Sequence, residues 1–155
     1  MSYRDPSTID QIQPKWPLNF SVSHGPYQSV DTPEESLRQD LIFLLLTIPG
    51  EWPMDPELGV GLAKYLFENY NSSDISQIKS NIESQLKIYL PNIQVLKAEF
   101  SDSAADQEAH TSILKILFYA PDLDYEDEIK FGLNQIEKSL VVVDHQSTYQ
   151  KVGRL

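Results

Sequence analysis

The chain has no cysteine among its 155 residues, so disulfides, thiolate metal centres and catalytic thiols are excluded together, and a reducing cytoplasm suits it. Cations are scarce: 12 Lys and Arg stand against 23 Asp and Glu, for a formal net charge of -11. Unless a basic patch is concealed, such a surface repels phosphate backbones and anionic lipid, which argues against nucleic acid and membranes as partners. Long apolar runs are missing as well. The run from Leu41 to Leu46 falls far short of the ~20 residues that span a bilayer, and Met1-Ser2-Tyr3-Arg4-Asp5-Pro6 lacks the basic start and apolar stretch of a signal peptide. Histidine appears only as His24, His110 and His145, dispersed in polar surroundings. There is no His-x-x-x-His pair, no nucleophile elbow, no glycine-rich phosphate loop and no internal repeat. The expectation is a protein without catalytic, metal-binding or cofactor-binding residues.

What is present is material for one modest core, with 41% hydrophobic composition in a chain too short for two ordinary domains. Residues 1–31 carry Pro6, Pro14, Pro17, Gly25 and Pro26 without a helical period and read as an extended arm, with one candidate strand at 18–22. Within it Trp16 is either an anchor that pins the arm or an exposed contact for a neighbour. Thr32-Pro33-Glu34-Glu35 is a dense helix start, combining an N-cap, proline at the first helical position and a capping-box Glu. The cap is worth about 1 kcal/mol. Leu37, Leu41, Leu44 and Leu45 form a buried stripe that Ile42, Phe43 and Leu46 widen almost all round, so this helix belongs at the centre of the core. Pro49-Gly50 ends it.

A short helical segment is predicted over 62–67. A second capping box, Asp74 with Gln77, opens an amphipathic helix on which Ile75, Ile78, Ile82, Leu86 and Tyr89 share a face, while Glu83 and Lys87 form a favourable pair on the other. It halts before Pro91. The period then changes to alternation: residues 93–100 and 113–119 read as strands around a mobile acidic loop at 101–108. Asp122, Asp124, Glu126, Asp127 and Glu128 read as an acidic connector. Residues 128–131 and 140–143 are strand-like again, with 134–138 open as a helical turn, and the polar tail 144–155 reads as mobile or ordered by a partner. The fold class is α+β: a small single domain (residues 32–143) with two or three helices on a small β-sheet, an extended N-terminal arm (1–31) and a C-terminal tail (144–155).

The stretch between the first helix and the short helical segment is the most distinctive in the chain. Pro49-Gly50-Glu51-Trp52-Pro53-Met54-Asp55-Pro56-Glu57-Leu58-Gly59-Val60-Gly61 commits three prolines and three glycines to a fixed irregular path, with Gly50, Glu51, Pro56 and Gly59 as its structural turn. Together with Trp16-Pro17-Leu18, Thr32 to Thr47, Leu66-Phe67-Glu68-Asn69 and Asn81-Ile82-Glu83, it resembles the phage baseplate wedge and sheath-initiator family of contractile tails, whose relatives include a type VI secretion baseplate component. The likeness covers about residues 16–135. Two positions depart from the family pattern: Trp52 stands where Arg often follows Gly-Glu, and Leu90-Pro91-Asn92 replaces a Glu-Pro-Arg triad that in the family is linked to docking on the wedge core bundle. Pro91 still suffices to end the helix.

The resemblance implies a structural protein of the tail baseplate, located in the virion and assembled in the host cytoplasm. It also implies a fold similar to the strand-exchange domain of the sheath subunit, templating sheath polymerisation by adding neighbours' extended segments to a sheet edge. Its implied partners are the sheath protein and baseplate wedge core proteins, with tail tube or hub proteins as further candidates. The partner-facing residues expected on this basis are Leu90, Pro91 and Asn92 at the corner, with Leu90 either core or contact, Trp16 on the arm, and Ile113, Ile116 and Phe118 on the sheet. Three alternatives stand beside this reading. One is the homologous subunit of a type VI or other contractile injection system, which gene neighbourhood separates. Another is a peptide-binding adaptor that works outside a large assembly. The third is a lysozyme-like glycosidase using Glu51, Asp55 or Glu57, which needs two carboxylates flanking a cleft.

Overall fold

The computed structural model describes residues 12–18, 20, 27–67, 72–101, 111–134, 139–144 and 147–154. The chain separates into two compact units, Met1–Ile42 and Phe43–Leu155.

In the first unit, β1 (Gln13–Pro14) and β2 (Ser29–Val30) form a two-stranded antiparallel ribbon. Main-chain bonds extend it on both sides, from Ile12 N–H to the Val30 carbonyl and from Lys15 N–H to the Gln28 carbonyl, both 2.9 Å. Helix α1 (Pro33–Leu46) starts as its sequence predicts. The Thr32 hydroxyl accepts from Glu35 N–H at 3.3 Å, and Glu34 and Glu35 place negative charge at the positive end of the helix dipole. The arm is tied to this first part of α1 by side chains. Gln39, itself buried, accepts from Trp16 N–H at 2.7 Å and donates to the Pro14 carbonyl at 2.9 Å, while Lys15 meets Glu35 at 2.6 Å. The candidate strand at 18–22 lies mostly outside the described residues.

The second unit is built on α2 (Ser72–Tyr89) and a five-stranded antiparallel sheet in strand order β3-β4-β5-β6-β7. The strands are β3 (Gln94–Ser101), β4 (Thr111–Ala120), β5 (Tyr125–Asn134), β6 (Ser139–Asp144) and β7 (Ser147–Arg154). Helix α2 begins two residues before the expected Asp74 cap. Its Ile78, Ile82 and Leu86 are buried as the stripe predicts, but Glu83 pairs back with Lys79 at 3.8 Å rather than with Lys87. The buried face of the sheet follows the register: Leu114, Ile116, Phe118 and Ala120 of β4 lie opposite Phe131, Ile129, Asp127 and Tyr125 of β5. Leu114, Ile116, Phe118, Ile129 and Phe131 are all at most 1% exposed, each worth about 1.5 to 3 kcal/mol of transfer free energy. The Phe118 and Tyr125 rings meet edge to face, with centroids 6.1 Å apart.

Two sequence expectations are corrected here. The acidic connector is only a tight reversal: Pro121–Leu123 makes one 3-10 turn, Asp124 takes φ 48°, and β5 starts at Tyr125. Aspartate is among the few residues that accept that left-handed conformation, and the Tyr119 hydroxyl holds its carboxylate at 2.9 Å. Asp127, on the core face of β5, receives the Tyr125 hydroxyl at 2.9 Å and Glu128 N–H at 2.8 Å, which offsets the cost of its partial burial. The second correction is β7, which occupies most of the segment read as a polar tail and pairs with β6. The loop at 101–108, except for Ser101 at the end of β3, the turn at 135–138 and the three histidines lie outside the described residues.

Candidate assembly interface

Three surfaces of the second unit bear on binding. The first is the loop over residues 47–61. Gly59 takes φ 109°, and a Cβ there would lie 2.2 Å from the Thr47 carbonyl oxygen, so only glycine lets the two strands of the loop close. Main-chain bonds from Val60 N–H to the Leu44 carbonyl (3.0 Å) and from Gly61 N–H to the Thr47 carbonyl (2.8 Å) cinch its base. From α2, Gln85 accepts Gly59 N–H at 2.9 Å and donates to the Glu57 carbonyl at 3.0 Å. The Tyr89 hydroxyl donates to Asp55 at 2.8 Å. That hydrogen bond, with burial and the charges of Asp55 and Glu57 adding to it, raises the Tyr89 pKa above its ordinary value. Glu51 caps the turn by accepting Ile48 N–H at 3.0 Å.

The second surface is the corner where α2 ends. Leu90 N–H still donates to the Leu86 carbonyl at 2.9 Å, and Ile93 N–H to the Leu90 carbonyl at 3.1 Å. Leu90 is half-buried, whereas Pro91 and Asn92 are exposed. Beside them an open groove of about 270 Å³ is bounded by apolar Leu86, Pro91, Ile93 and Val95 and by polar Glu83, Lys87 and Gln94.

The third surface is the margin of the sheet. Among the described residues β3 and β7 each have a strand on one side only. The β3 margin carries a bulge between Val95 and Lys97, leaving Leu96 46% exposed, then runs without interruption through residues 97–101. The β7 pairing is irregular at two places. On the outer face Lys97 and Glu99 pair at 2.8 Å and Glu128 and Lys130 at 3.1 Å; the hydrogen bond from Lys97 holds the Glu99 carboxyl below its usual range, helped by the charges of Lys97 and Lys115.

The sequence-predicted residues are therefore dispersed. Trp16 is half-buried on the arm, in the other unit. Gly50, Glu51, Pro56 and Gly59 do form one turn system, and Leu90, Pro91 and Asn92 one corner. Ile116 and Phe118, expected to face a partner, are wholly buried, and β4 is flanked by β3 and β5; this expectation is corrected, because an interior strand has no free ladder groups. Ile113 is half-buried on the opposite face. Sequence reasoning missed Gln85 and the Tyr89–Asp55 link, since a side chain reaching a distant backbone leaves no periodic trace. No group of three potential metal ligands occurs among the described residues, and no helix there is long and apolar enough to cross a membrane.

Among the described residues the second unit thus joins a helix and a braced loop to an antiparallel sheet whose outermost strands pair on one side only. The family model described as Baseplate wedge protein gp25 matches residues 31–119, and the chain belongs to that family of contractile-tail baseplate wedge proteins. Baseplate wedge protein gp25 of Enterobacteria phage T4 is 32% identical over 95 residues, covering 61% of this chain and 68% of that one. Two solved structures share the fold at 18% identity. One is a crystal structure from Geobacter sulfurreducens, provisionally named a tail lysozyme (TM-score 0.56, covering 69% of this chain and 95% of that one). The other belongs to the baseplate of the anti-feeding prophage (TM-score 0.52, covering 88% of each).

Proposed function

We propose that this wedge protein starts the contractile sheath by accepting an extended segment of a sheath subunit as an added strand on the β3 margin. The carrying observation is the uninterrupted run of residues 97–101, the longest regular stretch on either margin. An added strand gains main-chain hydrogen bonds there without any change in the receiving fold. The groove beside Leu90, Pro91 and Asn92 continues from the start of β3 and serves docking on wedge core proteins. Leu90-Pro91-Asn92 contribute apolar packing and neutral hydrogen bonds to that contact, and any sensitivity to salt falls to Glu83 and Lys87, which line the groove. Assembly takes place in the host cytoplasm.

The role is structural rather than enzymatic. Glu51 and Asp55 are each engaged by the loop or by Tyr89, and Glu51 and Glu57 are exposed rather than flanking a cleft as glycoside hydrolysis needs. Purified protein is expected to leave peptidoglycan intact; turnover that vanishes in Glu51→Gln with folding intact would establish the enzyme instead.

Strand addition is tested by a pair of variants, Ala98→Pro and Glu99→Pro. Successive amides of a strand point to opposite sides, so one substitution removes a bond to β4 and the other an amide on the free side. The free-side variant should keep its melting temperature and its place in the baseplate yet fail to start sheaths. Normal sheath number and length on that variant would exclude β3 as the template.

A further inference from the structure

The tip of the 47–61 loop presents Trp52 at 57% and Met54 at 95% of full exposure. Single exposed apolar residues are ordinary, but these two share a tip whose backbone is held in place. Asp55 N–H donates to the Trp52 carbonyl at 3.1 Å and Glu51 N–H to the Ile48 carbonyl at 3.0 Å, Tyr89 grips Asp55, and Pro53, with its fixed φ, separates the two residues in sequence. A tip already fixed loses little conformational freedom on binding, and Trp and Met are enriched where protein interfaces are driest. Along the chain its neighbours carry one sign of charge: Glu51, Asp55 and Glu57 flank the pair, and no Lys or Arg occurs between Arg38 and Lys64. A second copy of a chain with net charge -11 is disfavoured as the occupant by repulsion.

We propose that Trp52 and Met54 insert into an apolar pocket rimmed by Lys or Arg on another protein of the same tail. The proposal rests on the wedge assignment and is independent of strand addition, since the loop and β3 are different elements.

The test uses the two methionines of the chain, Met1 and Met54, with hydroxyl-radical labelling of intact tails and of the free protein, read by peptide mass spectrometry. In the tail Met54 should oxidise at least about tenfold more slowly than in the free protein, the protection expected of a desolvated hot spot. Equal rates would overturn the proposal, and absence of the chain from purified tails would overturn the wedge assignment and this proposal with it. The double variant Trp52→Ala with Met54→Ala should melt as the parent does and enter tails at least about tenfold less well in competition with it; equal entry contradicts insertion. Glu57→Lys should reduce entry severalfold, most at low salt, whereas an indifferent result excludes the basic rim.

Discussion

The loop over residues 47–61 and the reversal between β4 and β5 both turn the chain through acidic residues, and in each a tyrosine hydroxyl holds an aspartate, Tyr89 on Asp55 and Tyr119 on Asp124, but their backbones are fixed by different means. The reversal is minimal: one 3-10 turn and a left-handed Asp124 join strands whose register continues without a break from Ala120 and Tyr125 to Thr111 and Asn134. Its rigidity comes from the buried pairs behind it. The loop has no ladder behind it and is fixed instead at discrete points, by Gly59 against Thr47, by Gln85 across two backbone groups and by Tyr89 on Asp55. Packing thus secures the reversal, while point attachments hold the loop.

This difference makes the two regions separable by mutation. The largest effect is expected from Phe118→Ala, which empties the space behind the reversal and should cost about 3 to 5 kcal/mol. Denaturant unfolding measures it, and the loss should fall on the whole sheet. Gly59→Ala comes next, at about 2 to 4 kcal/mol from left-handed strain and overlap with the Thr47 carbonyl. Gly50→Ala is its control: φ is 97° there too, but no atom lies within 4 Å of the added Cβ, so its cost should be confined to about 1 kcal/mol or slightly more. Equal losses at the two glycines would mean that close approach does not fix the loop.

The smallest effect is alkaline. Because its hydrogen bond to Asp55 raises the Tyr89 pKa above the ordinary 10.0, the folded state holds that proton more tightly than the unfolded chain does. Its contribution is fully present below about pH 10 and is lost as pH rises through the raised value. Tyr119, raised by its bond to Asp124, acts in the same direction. Melting temperature against pH should therefore fall less steeply above pH 10 in Tyr89→Phe than in the parent, and parallel curves would show that the Tyr89–Asp55 bond does not stabilise the fold.

Much of this architecture is legible in the sequence where local chemistry and burial agree. Thr32-Pro33-Glu34-Glu35 starts α1, the Ile78, Ile82 and Leu86 stripe marks α2, and alternation marks β3 and β4. Legibility fails where pairing is carried by backbone alone. Glu126, Asp127 and Glu128 hide the first half of β5: Asp127 is held by Tyr125 and Glu128 by Lys130, while Glu126 is exposed on the strand itself rather than in a connector. The polar composition of β7 gives no hint that its main chain pairs with β6. Alternation likewise cannot tell an interior strand from a marginal one, which is why Ile116 and Phe118 read as partner-facing. The loop announces itself through its glycines and prolines, yet the reason for Gly59, a carbonyl twelve residues earlier in the chain, exists only in the fold.

Whether the β3 margin receives a sheath strand can be read from hydrogen exchange of residues 97–101. Every second amide of that run lacks a strand partner among the described residues in the free protein and should exchange quickly. In sheathed tails those same amides should become strongly protected, while in baseplates without sheath they should remain as fast as in the free chain. Protection that is unchanged by the sheath would contradict strand addition on β3.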